Sequence, residues 1–432
     1  MQIKLKRKHR RYDKYKNTGI PWLSEVPEGW EVKKLKYFAD IQTGNTPPKS
    51  DEENYCEDGL PWIKPDNLKD FEALVDSKEK LSLKGISYAR KIKKNSVLVC
   101  GIGTIGKIGI AGTDLSTNQQ INSATFHKSI IERFGHYMIF SSRPEMERAA
   151  NKVVVSIMNK TQQSNIFYSL PSDSEQTAIA NYLDEKTTLL DKTIKSKRKQ
   201  IELLKEKRTS LINRAVTRGI DENVEMKESG VEWIGEVPKG WEIKPLFSIA
   251  KEQSNKNIGN RVQNVLSLSY GNIVRRDIET NFGLLPNSFE TYQIVEPENI
   301  ILRLTDLQND KKSLRVGFVK EMGIITSAYV CLFVKDTLLP RYFYSLLHSY
   351  DLEKVFYSLG AGVRQTMKFS DLKRLPIPIP PKKEQQKIVV FLDSETQKID
   401  QIIALVEKSI TLLEEYKTSL ISNVVTGKIK IC

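Results

Sequence analysis

The chain has 432 residues, 39% of them hydrophobic and 28% charged, which is enough for two or three domains with cores of their own. It has no run of about 18 apolar residues and no apolar stretch behind its basic N-terminus, so we expect neither a transmembrane helix nor a secretory signal and predict a cytoplasmic protein. The formal net charge of +14 favours a polyanionic partner such as nucleic acid, although a basic balance alone does not establish one.

Cysteine and histidine usage argues against a metal site and against a disulfide framework. The four cysteines, at positions 56, 100, 331 and 432, are far apart in the sequence. Zinc modules and disulfide-stabilised domains both use cysteines at close, paired spacings. The chain also has only four histidines, so we expect no bound metal.

The first feature along the chain is a tryptophan-containing segment that occurs twice. Residues 18–35 read TGIPWLSEVPEGWEVKKL and residues 229–246 read SGVEWIGEVPKGWEIKPL, and ten of these 18 positions are identical. Four of the five tryptophans of the chain lie in these two segments, which we call the tryptophan motifs. Their fixed offset of 211 residues indicates an internal duplication.

A glycine-rich segment follows the first strongly predicted strand. The apolar, β-branched run Ser96–Cys100 predicts the strand, and GIGTIGK follows at 101–107. The segment fits G-x-G-x-x-G and nearly fits a P-loop, but phosphate binding there requires a helix to follow. The next residues, IGIAG, favour a strand and a turn, and Ile108 replaces the hydroxyl residue of a P-loop. We interpret the segment as a glycine-rich β-turn that approaches a nucleic-acid backbone.

Two long helices are predicted at equivalent positions of the two halves. Residues 175–217 align without a gap to residues 384–426 at an offset of 209, with 19 of 43 positions identical and Glu-Gln at both starts. Their seam positions alternate in spacing between four and three, as in a coiled coil. The seam of the first helix comprises positions 183, 187, 190, 194, 197, 201, 204, 208, 211 and 215, and that of the second lies 209 residues further on.

The charges of the two helices favour pairing of one with the other. Residues 185–218 hold 11 basic and four acidic residues, whereas residues 394–427 hold three basic and five acidic residues. Opposite net charges stabilise this pair relative to either helix with its own copy. We predict an intramolecular coiled coil. The alternative is two unrelated amphipathic helices on separate cores.

The second half repeats the plan of the first, with a different sequence between the constant segments. Strands are predicted at Asn299–Leu304 and Ser327–Val334. The run LPIPIPP at 375–381 is predicted to be extended and to end a domain, because proline cannot join a central ladder. The fold class is therefore α+β, with two mixed domains separated by two long helices in a pseudo-twofold internal repeat. The predicted boundaries are 1–174 with a basic extension at 1–16, 175–219, 220–383 and 384–432.

No catalytic motif emerges from the sequence. There is no H-E-x-x-H, no paired-cysteine motif, no G-x-S-x-G and no helicase-type ATP site. We therefore predict that the chain binds and positions a partner and is not itself an enzyme.

The predicted arrangement suits the reading of two separate DNA segments. A helix from position 183 to 215 rises about 48 Å at about 1.5 Å per residue. That length corresponds to about 14 base pairs, so two domains at this separation could read two half-sites on one side of a duplex. Because the variable domains differ in sequence, the two half-sites should differ, and the helix length should set an unread spacer.

Taken together, these segments resemble the specificity (S) subunit of type I restriction-modification systems. The resemblance is carried by both tryptophan motifs, by IPIPPKKEQQKIVVFLD at 377–393, by the helix ends at 211–219 and 420–427, and by their duplicated order. It spans almost the whole chain. The first half departs from the family pattern at 170–176, where LPSDSEQ replaces the proline-rich form.

The resemblance implies a division of labour with other subunits. Each variable region would be a target recognition domain for one half of a bipartite, asymmetric double-stranded DNA target, and the two helices would pack antiparallel as a spacer. Two methyltransferase (M) subunits would dock on the helices and methylate adenine with S-adenosylmethionine. Two restriction (R) subunits would add ATP-dependent translocation and cleavage. The cofactors S-adenosylmethionine, ATP and Mg are expected in those subunits and none in this chain.

Candidate base contacts are polar side chains near the glycine turn and at the corresponding place of the second half. Arginine and lysine recognise guanine, and asparagine and glutamine recognise adenine. The candidates are Thr104, Lys107, Asn118, Gln119, Gln120, Arg303, Lys311, Lys312, Arg315, Ser327, Arg364 and Gln365. Phosphate contacts are expected from Arg11, Lys14 and Lys16, for which a frayed tail is the alternative. For each candidate, a solvated surface side chain is the competing interpretation.

Two other functions remain open from the sequence. A stand-alone DNA-binding protein such as a repressor would bind its target without an M subunit, and the long helices would then have no docking role. An enzyme that used GIGTIGK as a nucleotide site would bind ATP and lose that binding on Lys107→Ala.

Overall fold

The chain folds into two compact units, each of which takes part of both long helices. The first unit comprises Met1–Lys197 with Lys408–Cys432, and the second comprises Arg198–Glu407. Within the part of the chain that is described, no helix is both long and apolar enough to span a membrane. The structure, a computed structural model, describes residues 10–152, 154–276, 288–305, 313–358 and 366–431.

The first unit consists of short strands with helices between them. Its strands are β1 (Tyr15–Asn17), β2 (Glu25–Pro27), β3 (Glu31–Lys34), β4 (Ala39–Thr43), β5 (Tyr55–Cys56), β6 (Leu60–Ile63), β7 (Ala73–Leu74), β8 (Lys80–Leu81), β9 (Val97–Cys100), β10 (Ile108–Ala111), β11 (Ser116–Thr117), β12 (Ile121–Phe126), β13 (Asn151–Lys152), β14 (Ser156–Ile157) and β15 (Phe167–Leu170). Its helices are α1 (Leu83–Tyr88), α2 (Glu132–Ser141), α3 (Arg143–Ala149), α4 (Lys160–Ser164) and the first part of α5 (Asp173–Arg218). Short 3-10 turns lie at Pro21–Leu23, Leu35–Tyr37, Glu52–Asn54 and Pro65–Asn67.

A five-stranded sheet forms the centre of the first variable domain. Its strand order is β4-β12-β9-β10-β7, antiparallel except for the pair β10 and β7. Along β9, Val97 and Val99 pack in one hydrophobic core while Leu98 and Cys100 pack in another. This alternation follows from the two-residue period of a strand, and it means that both faces of the sheet are covered. The predicted strand Ser96–Cys100 is confirmed, starting at Val97.

The second unit contains the same types of element. Its strands are β16 (Met226–Glu228), β17 (Glu236–Pro238), β18 (Glu242–Pro245), β19 (Ala250–Gln253), β20 (Asn255–Lys256), β21 (Leu266–Ser269), β22 (Asn272–Arg275), β23 (Gln293–Val295), β24 (Ile300–Leu302), β25 (Val316–Phe318), β26 (Gly323–Ile325), β27 (Val330–Val334) and β28 (Pro376–Ile379). Its helices are α6 (Leu246–Ile249), α7 (Pro340–Leu352), α8 (Val355–Ser358), α9 (Phe369–Leu372) and the first part of α10 (Lys382–Val425).

The two variable domains share one topology although their sequences differ. The central sheet of the second unit has the order β19-β27-β24-β25, with all pairs antiparallel, and β22 lies beside β25. These strands match β4, β12, β9, β10 and β7 of the first unit in order. Along β24, Ile300 and Leu302 face one core and Ile301 faces another, as on β9. The strands predicted in this half are confirmed with shorter bounds, β24 and β27.

The proline-containing segment before the second long helix is extended, as predicted. Strand β28 pairs with β18 in a two-stranded antiparallel ladder, in which Ile377 lies opposite Lys244. Strands β15 and β3 pair in the same way in the first unit. A two-stranded ladder has only edge strands, so prolines are tolerated where a central strand would lose a hydrogen bond.

Each tryptophan motif packs on the glycine that follows a long helix. In the second unit, a Cβ built on Gly219 would lie 3.5 Å from the indole of Trp241. In the first unit, a Cβ on Gly427 would lie 3.2 Å from the indole of Trp30 and would overlap Pro27. Both glycines have positive φ angles, 78° and 74°, as is usual for the residue that ends a helix. The motif and the helix end are therefore duplicated as one packed pair.

The duplicated glutamine of the Glu-Gln pair joins each long helix to its own domain. Gln176 accepts a hydrogen bond from the N–H of Ile131 at 2.8 Å and donates to the carbonyl of Pro171. Gln385 accepts from the N–H of Leu339 at 2.8 Å and donates to Pro380. In both units the amide connects the start of the long helix to the start of a domain helix, α2 or α7. This contact explains why the pair occurs twice.

The long helices pair antiparallel within each unit. In the first unit, Asp191 of α5 accepts a hydrogen bond from Lys417 of α10 at 2.7 Å. In the second, Arg208 of α5 donates to Asp400 of α10 at 3.0 Å. At the offset of 209, Asp191 is equivalent to Asp400 and Arg208 to Lys417, so the same ion pair is made twice. All 20 predicted seam positions are described, and none is exposed. The predicted helices and their seam are confirmed, with bounds of 173–218 and 382–425.

Candidate nucleic-acid interface

The glycine-rich segment forms the connection of a β-hairpin. Strands β9 and β10 pair directly across it, with Val99 opposite Ile108, and the N–H of Gly106 donates to the carbonyl of Cys100 at 3.0 Å. Gly103 has a φ of 82°, which only glycine adopts without strain. A strand follows the segment, as predicted, so the helix that a phosphate-binding loop requires is absent from this described region.

The structure brings the glycine hairpin next to the Asn118–Gln120 turn. The N–H of Gly101 donates to the carbonyl of Gln120 at 2.8 Å. Within the turn, Asn118 is buried and donates to the side chain of Gln120 at 2.8 Å. Gln119 is exposed and accepts a hydrogen bond from Thr46. The turn therefore presents Gln119 outward, while the amide of Asn118 holds its shape.

Two further candidates lie in the connection of the hairpin, Thr104 at its tip and Lys107 directly before β10. Thr104 is exposed at the tip. Lys107 is half-buried, and its ammonium donates to the carbonyl of Pro65 at 3.1 Å. Of the two, Thr104 is the better presented to a ligand.

The second unit has a longer connection at the same place. Strands β24 and β25 are joined through residues 303–315, and the N–H of Arg303 donates to the carbonyl of Arg315 at 2.9 Å. Arg303 is half-buried, and Ser327 is exposed in a turn before β27. The candidates Lys311, Lys312, Arg364 and Gln365 lie outside the described residues.

Arg315 is a buried side chain of the second unit. Its guanidinium donates to the carbonyls of Thr305 at 2.7 Å and Arg303 at 3.2 Å, and to the hydroxyl of Tyr357 at 3.0 Å. Its backbone N–H donates to the carboxylate of Asp351, whose pKa is raised by burial. A guanidinium held in this way by the protein is not presented to a base, so its burial argues against the base contact predicted from the sequence.

The N-terminal cations lie on ordered chain. Arg11 is ion-paired with Glu25 at 2.6 Å, and its guanidinium lies 4.8 Å from the ring centroid of Tyr15. Lys14 and Lys16 are exposed, and Lys16 belongs to β1. All three positions lie in or beside the β1–β2 ladder, and phosphate contact by them stays a prediction.

Sequence reasoning missed a second element beside the glycine hairpin. The N–H of Met158 donates to the carbonyl of Gly101 at 2.8 Å, which brings the β13–β14 hairpin against it. In the second unit the N–H of Met367 donates to the carbonyl of Leu304 at 2.9 Å. Met158 and Met367 are related by the offset of 209. The sequence did contain a signal for this hairpin. The candidates Arg364 and Gln365 lie 209 residues after positions 155 and 156, and these two positions belong to the β13–β14 hairpin.

The sequence of this chain matches a known protein family, and the match agrees with the two-unit architecture. Residues 27–205 and 294–415 match the family described as the type I restriction modification DNA specificity domain. These ranges cover well over half of the chain, and the chain belongs to this family. The resemblance inferred from the tryptophan motifs and the helix ends is confirmed, as is the α+β class with two long helices.

Curated relatives of this chain are specificity subunits, some similar over nearly the full length and others over a shorter segment. The type I restriction enzyme MjaIX specificity subunit of Methanocaldococcus jannaschii is 25% identical over 438 residues, covering 96% of both chains. The HindI specificity subunit of Haemophilus influenzae is 38% identical over 100 residues, covering 23% of this chain and 22% of its own.

Two solved structures show the same fold. A chain from work on complex assembly and conformational transition of the type I R-M system superposes with a TM-score of 0.67 at 13% identity, covering 93% of this chain and 98% of that chain. The HsdS subunit from Thermoanaerobacter tengcongensis gives a TM-score of 0.50 at 14% identity, covering 94% of this chain and 98% of that chain.

If Gln119 contacts a base, its replacement by alanine should weaken binding to the specific DNA target about 10-fold to 100-fold, the usual effect of losing one bidentate base contact. Binding to unrelated duplex should not change, because phosphate contacts dominate it. Competition between target and scrambled duplex measures both. Gln200→Ala, which removes an exposed amide from α5, is the matched control. An equal loss for both duplexes would contradict base readout by Gln119.

Proposed function

We propose that this chain gives a type I restriction-modification complex its DNA sequence specificity. Each variable domain would recognise one half of a bipartite, asymmetric target. The observation that carries the proposal is the shared strand order of the two domains combined with different connections at the same place, 101–107 in one and 303–315 in the other. A common scaffold with different loops is how related domains acquire different binding preferences.

We further propose that the chain is a non-catalytic recognition subunit. Methylation of adenine, with S-adenosylmethionine, would belong to two M subunits, and ATP- and Mg-dependent cleavage to two R subunits. The cationic surface expected from the net charge of +14 would supply the phosphate contacts that hold the duplex. Specificity would come from side chains such as Gln119 and Thr104.

Exposed leucines on the long helices support docking of M subunits. Leu203 in the second unit is 53% exposed, and Leu412 in the first is 54% exposed. They are related by the offset of 209, so each unit carries the same apolar residue with the same exposure. Leu189 and Leu405 on the same two helices are also exposed. Apolar side chains grouped on a surface mark interaction sites, and a duplicated site suits two copies of one partner.

Modified-base sequencing tests the proposal directly. The chain and its M subunit would be expressed in a host that lacks adenine methylation, and the genome would be sequenced with and without the chain. We expect a split motif with one methyladenine in each half, seen only when both proteins are present. An unchanged methylome in the presence of both proteins would contradict the proposal.

The docking surface can be tested separately with a double variant. Leu203→Glu combined with Leu412→Glu should abolish co-purification of the M subunit and methylation, while the free energy of unfolding of the chain does not change. The matched control is Leu83→Glu, because Leu83 is 90% exposed on a recognition domain and away from the long helices. If the chain binds its target tightly without an M subunit and the double variant has no effect, a stand-alone DNA-binding protein becomes the better description.

A further inference from the structure

The second unit has a pocket where its variable domain meets the long helices. Its volume is about 170 Å³, and it lies between helix α7, the long helices and the turn that joins β21 to β22. Its polar lining includes Arg208, Lys320, Arg341, Ser345, His348 and Asp393.

In the first unit the equivalent place is filled by the side chain of Phe71. The Phe71 ring centroid lies 4.9 Å from that of Tyr137 and 4.8 Å from that of Phe140. The ammonium of Lys417 lies 5.5 Å from the Phe71 ring, within the range of a cation–π contact. Two rings and one cation therefore surround the phenyl group.

Each of these three neighbours has a counterpart that lines the pocket. Tyr137 and Phe140, on α2, correspond to Ser345 and His348 on α7 at an offset of 208. Lys417 corresponds to Arg208 at the offset of 209. The pocket is therefore the place that Phe71 fills in the first unit, with its surroundings changed from two aromatic rings to a hydroxyl and an imidazole.

The turn that carries Phe71 in the first unit has Gly271 in the second unit. Phe71 precedes β7 in a turn and has a φ of 61°, and Gly271 precedes β22 in a turn and has a φ of 79°. Strand β7 lies beside β10, and β22 lies beside β25, so the two turns occupy equivalent positions. A Cβ on Gly271 would lie 3.0 Å from the Cβ of Leu314, so this turn sends no side chain of its own into the place that the Phe71 ring takes in the first unit.

The pocket carries an excess of positive charge. Arg208, Lys320 and Arg341 line it with a single carboxylate, that of Asp393, which is 3.0 Å from Arg341. Arg208 donates a hydrogen bond at 3.0 Å to the carboxylate of Asp400, which does not line the pocket. Lys320 is exposed at the rim of the pocket. Guanidinium and ammonium groups at the wall of a partly enclosed space favour an anionic ligand.

His348 adds a buried polar atom without a partner in the described structure. Its side chain is 8% exposed, and its Nδ1 has no hydrogen-bond partner among the described residues. Burial, followed by the charge of Arg208, lowers the pKa of the imidazole to about 4, so the ring is neutral at pH 7 and offers one donor and one acceptor. A buried polar group costs free energy unless it is hydrogen-bonded, and a ligand in the pocket would supply the partner.

We propose that this pocket binds a small aromatic anion. Its ring would take the place that the Phe71 side chain takes in the first unit, beside Arg208 and the stacked rings of Tyr344 and His348, whose centroids are 5.7 Å apart. Its anionic group would face the cations of the rim. The ligand would contact both α7 and the long helices, and so would stabilise the junction between the recognition domain and the helices in the second unit.

Fluorine NMR with 4-fluorobenzoate and the full chain tests this proposal. We expect saturable binding that is weakened at least about tenfold by Ser345→Tyr, which introduces the tyrosine that the first unit has there, and by Lys320→Glu, which reverses an exposed rim charge without altering the core. Fluorobenzene and 4-fluorobenzylamine should bind less well. Absence of binding to the wild type, or unchanged binding to Lys320→Glu, would overturn the proposal.

Two further measurements distinguish an aromatic site from a simple anion site. Inorganic phosphate should not displace 4-fluorobenzoate at equal concentration, and equal displacement would overturn the requirement for a ring. Phe71→Gly combined with Tyr137→Ser should create a second binding site in the first unit, because glycine suits the φ of 61°, the phenyl ring is removed and Tyr137 becomes the serine that the second unit has there. One site in both the wild type and this double variant would contradict the proposed equivalence.

Discussion

Replacing Arg315 by methionine is expected to destabilise the second unit by about 3–5 kcal/mol, the cost typical of breaking a buried, hydrogen-bonded charge network. The guanidinium satisfies two backbone carbonyls and the hydroxyl of Tyr357, and all three would lose their donor. Methionine is similar in length but has no donor, so these three hydrogen bonds would be lost. Urea unfolding followed by hydrogen exchange, resolved by unit, measures the effect.

The matched control for this change is Arg374→Met. Arg374 is exposed in the same unit, and its replacement should change the free energy of unfolding by less than about 0.5 kcal/mol. A stable Arg315→Met variant that had lost sequence-specific DNA binding would instead support the base contact predicted from the sequence. The two outcomes are distinguishable, because a structural arginine affects unfolding before it affects recognition.

Arg315 also illustrates what the sequence could not reveal. An arginine in the connection before a β-strand has the right chemistry for a guanine contact, and nothing local indicates that its side chain turns inward. The burial depends on Asp351 and Tyr357, which lie 36 and 42 residues further along the chain. The sequence around Arg315 therefore cannot predict hydrogen-bond partners that lie so far along the chain.

The constant parts of the chain were predictable because both copies obey the same local rules. The seam positions follow a repeat that only a packed helix pair satisfies, and Trp30 and Trp241 occur at matching places in the two tryptophan motifs. The common topology of the variable domains was not predictable. This topology depends on buried strands such as β9 and β24. Many combinations of apolar side chains can fill such strands, so the two domains can differ in sequence while their strand order stays the same.

The candidate interface was predictable only in part. The glycine segment signalled a tight turn, and the structure has the turn, with Gln119 presented outward nearby. The β13–β14 hairpin carries no comparable local signal, because its role depends on the long-range bond between Met158 and Gly101. The pocket beside Gly271 was equally hidden, since it is lined by residues that lie far apart in the sequence, on α5, α7 and α10.

Truncating Trp241 to alanine should destabilise the second unit by about 3–5 kcal/mol, as expected for a large aromatic side chain in a well-packed core. The indole is 1% exposed and packs against Tyr342 and the glycine that ends α5. The cavity would open where the recognition domain meets the helix end, so both should loosen together. Hydrogen exchange should show lost protection in α7 and at the end of α5.

The chain provides its own control in the same motif. Trp233 is 45% exposed, and Trp233→Ala should cost less than about 1 kcal/mol because much of the ring is already in water. Equal losses for the two variants would contradict the packing described for the tryptophan motif.

Phenylalanine variants separate packing from hydrogen bonding in the two copies. The indole N–H of Trp30 donates to Glu175 at 3.3 Å, whereas that of Trp241 has no partner among the described residues. Trp30→Phe therefore loses a charge-assisted hydrogen bond, and we expect it to cost about 1 kcal/mol more than Trp241→Phe. The duplication has kept the ring and its glycine in both units, but the polar contact in only one. That difference indicates that packing on the helix end, rather than the hydrogen bond, is what the repeated tryptophan contributes to the fold.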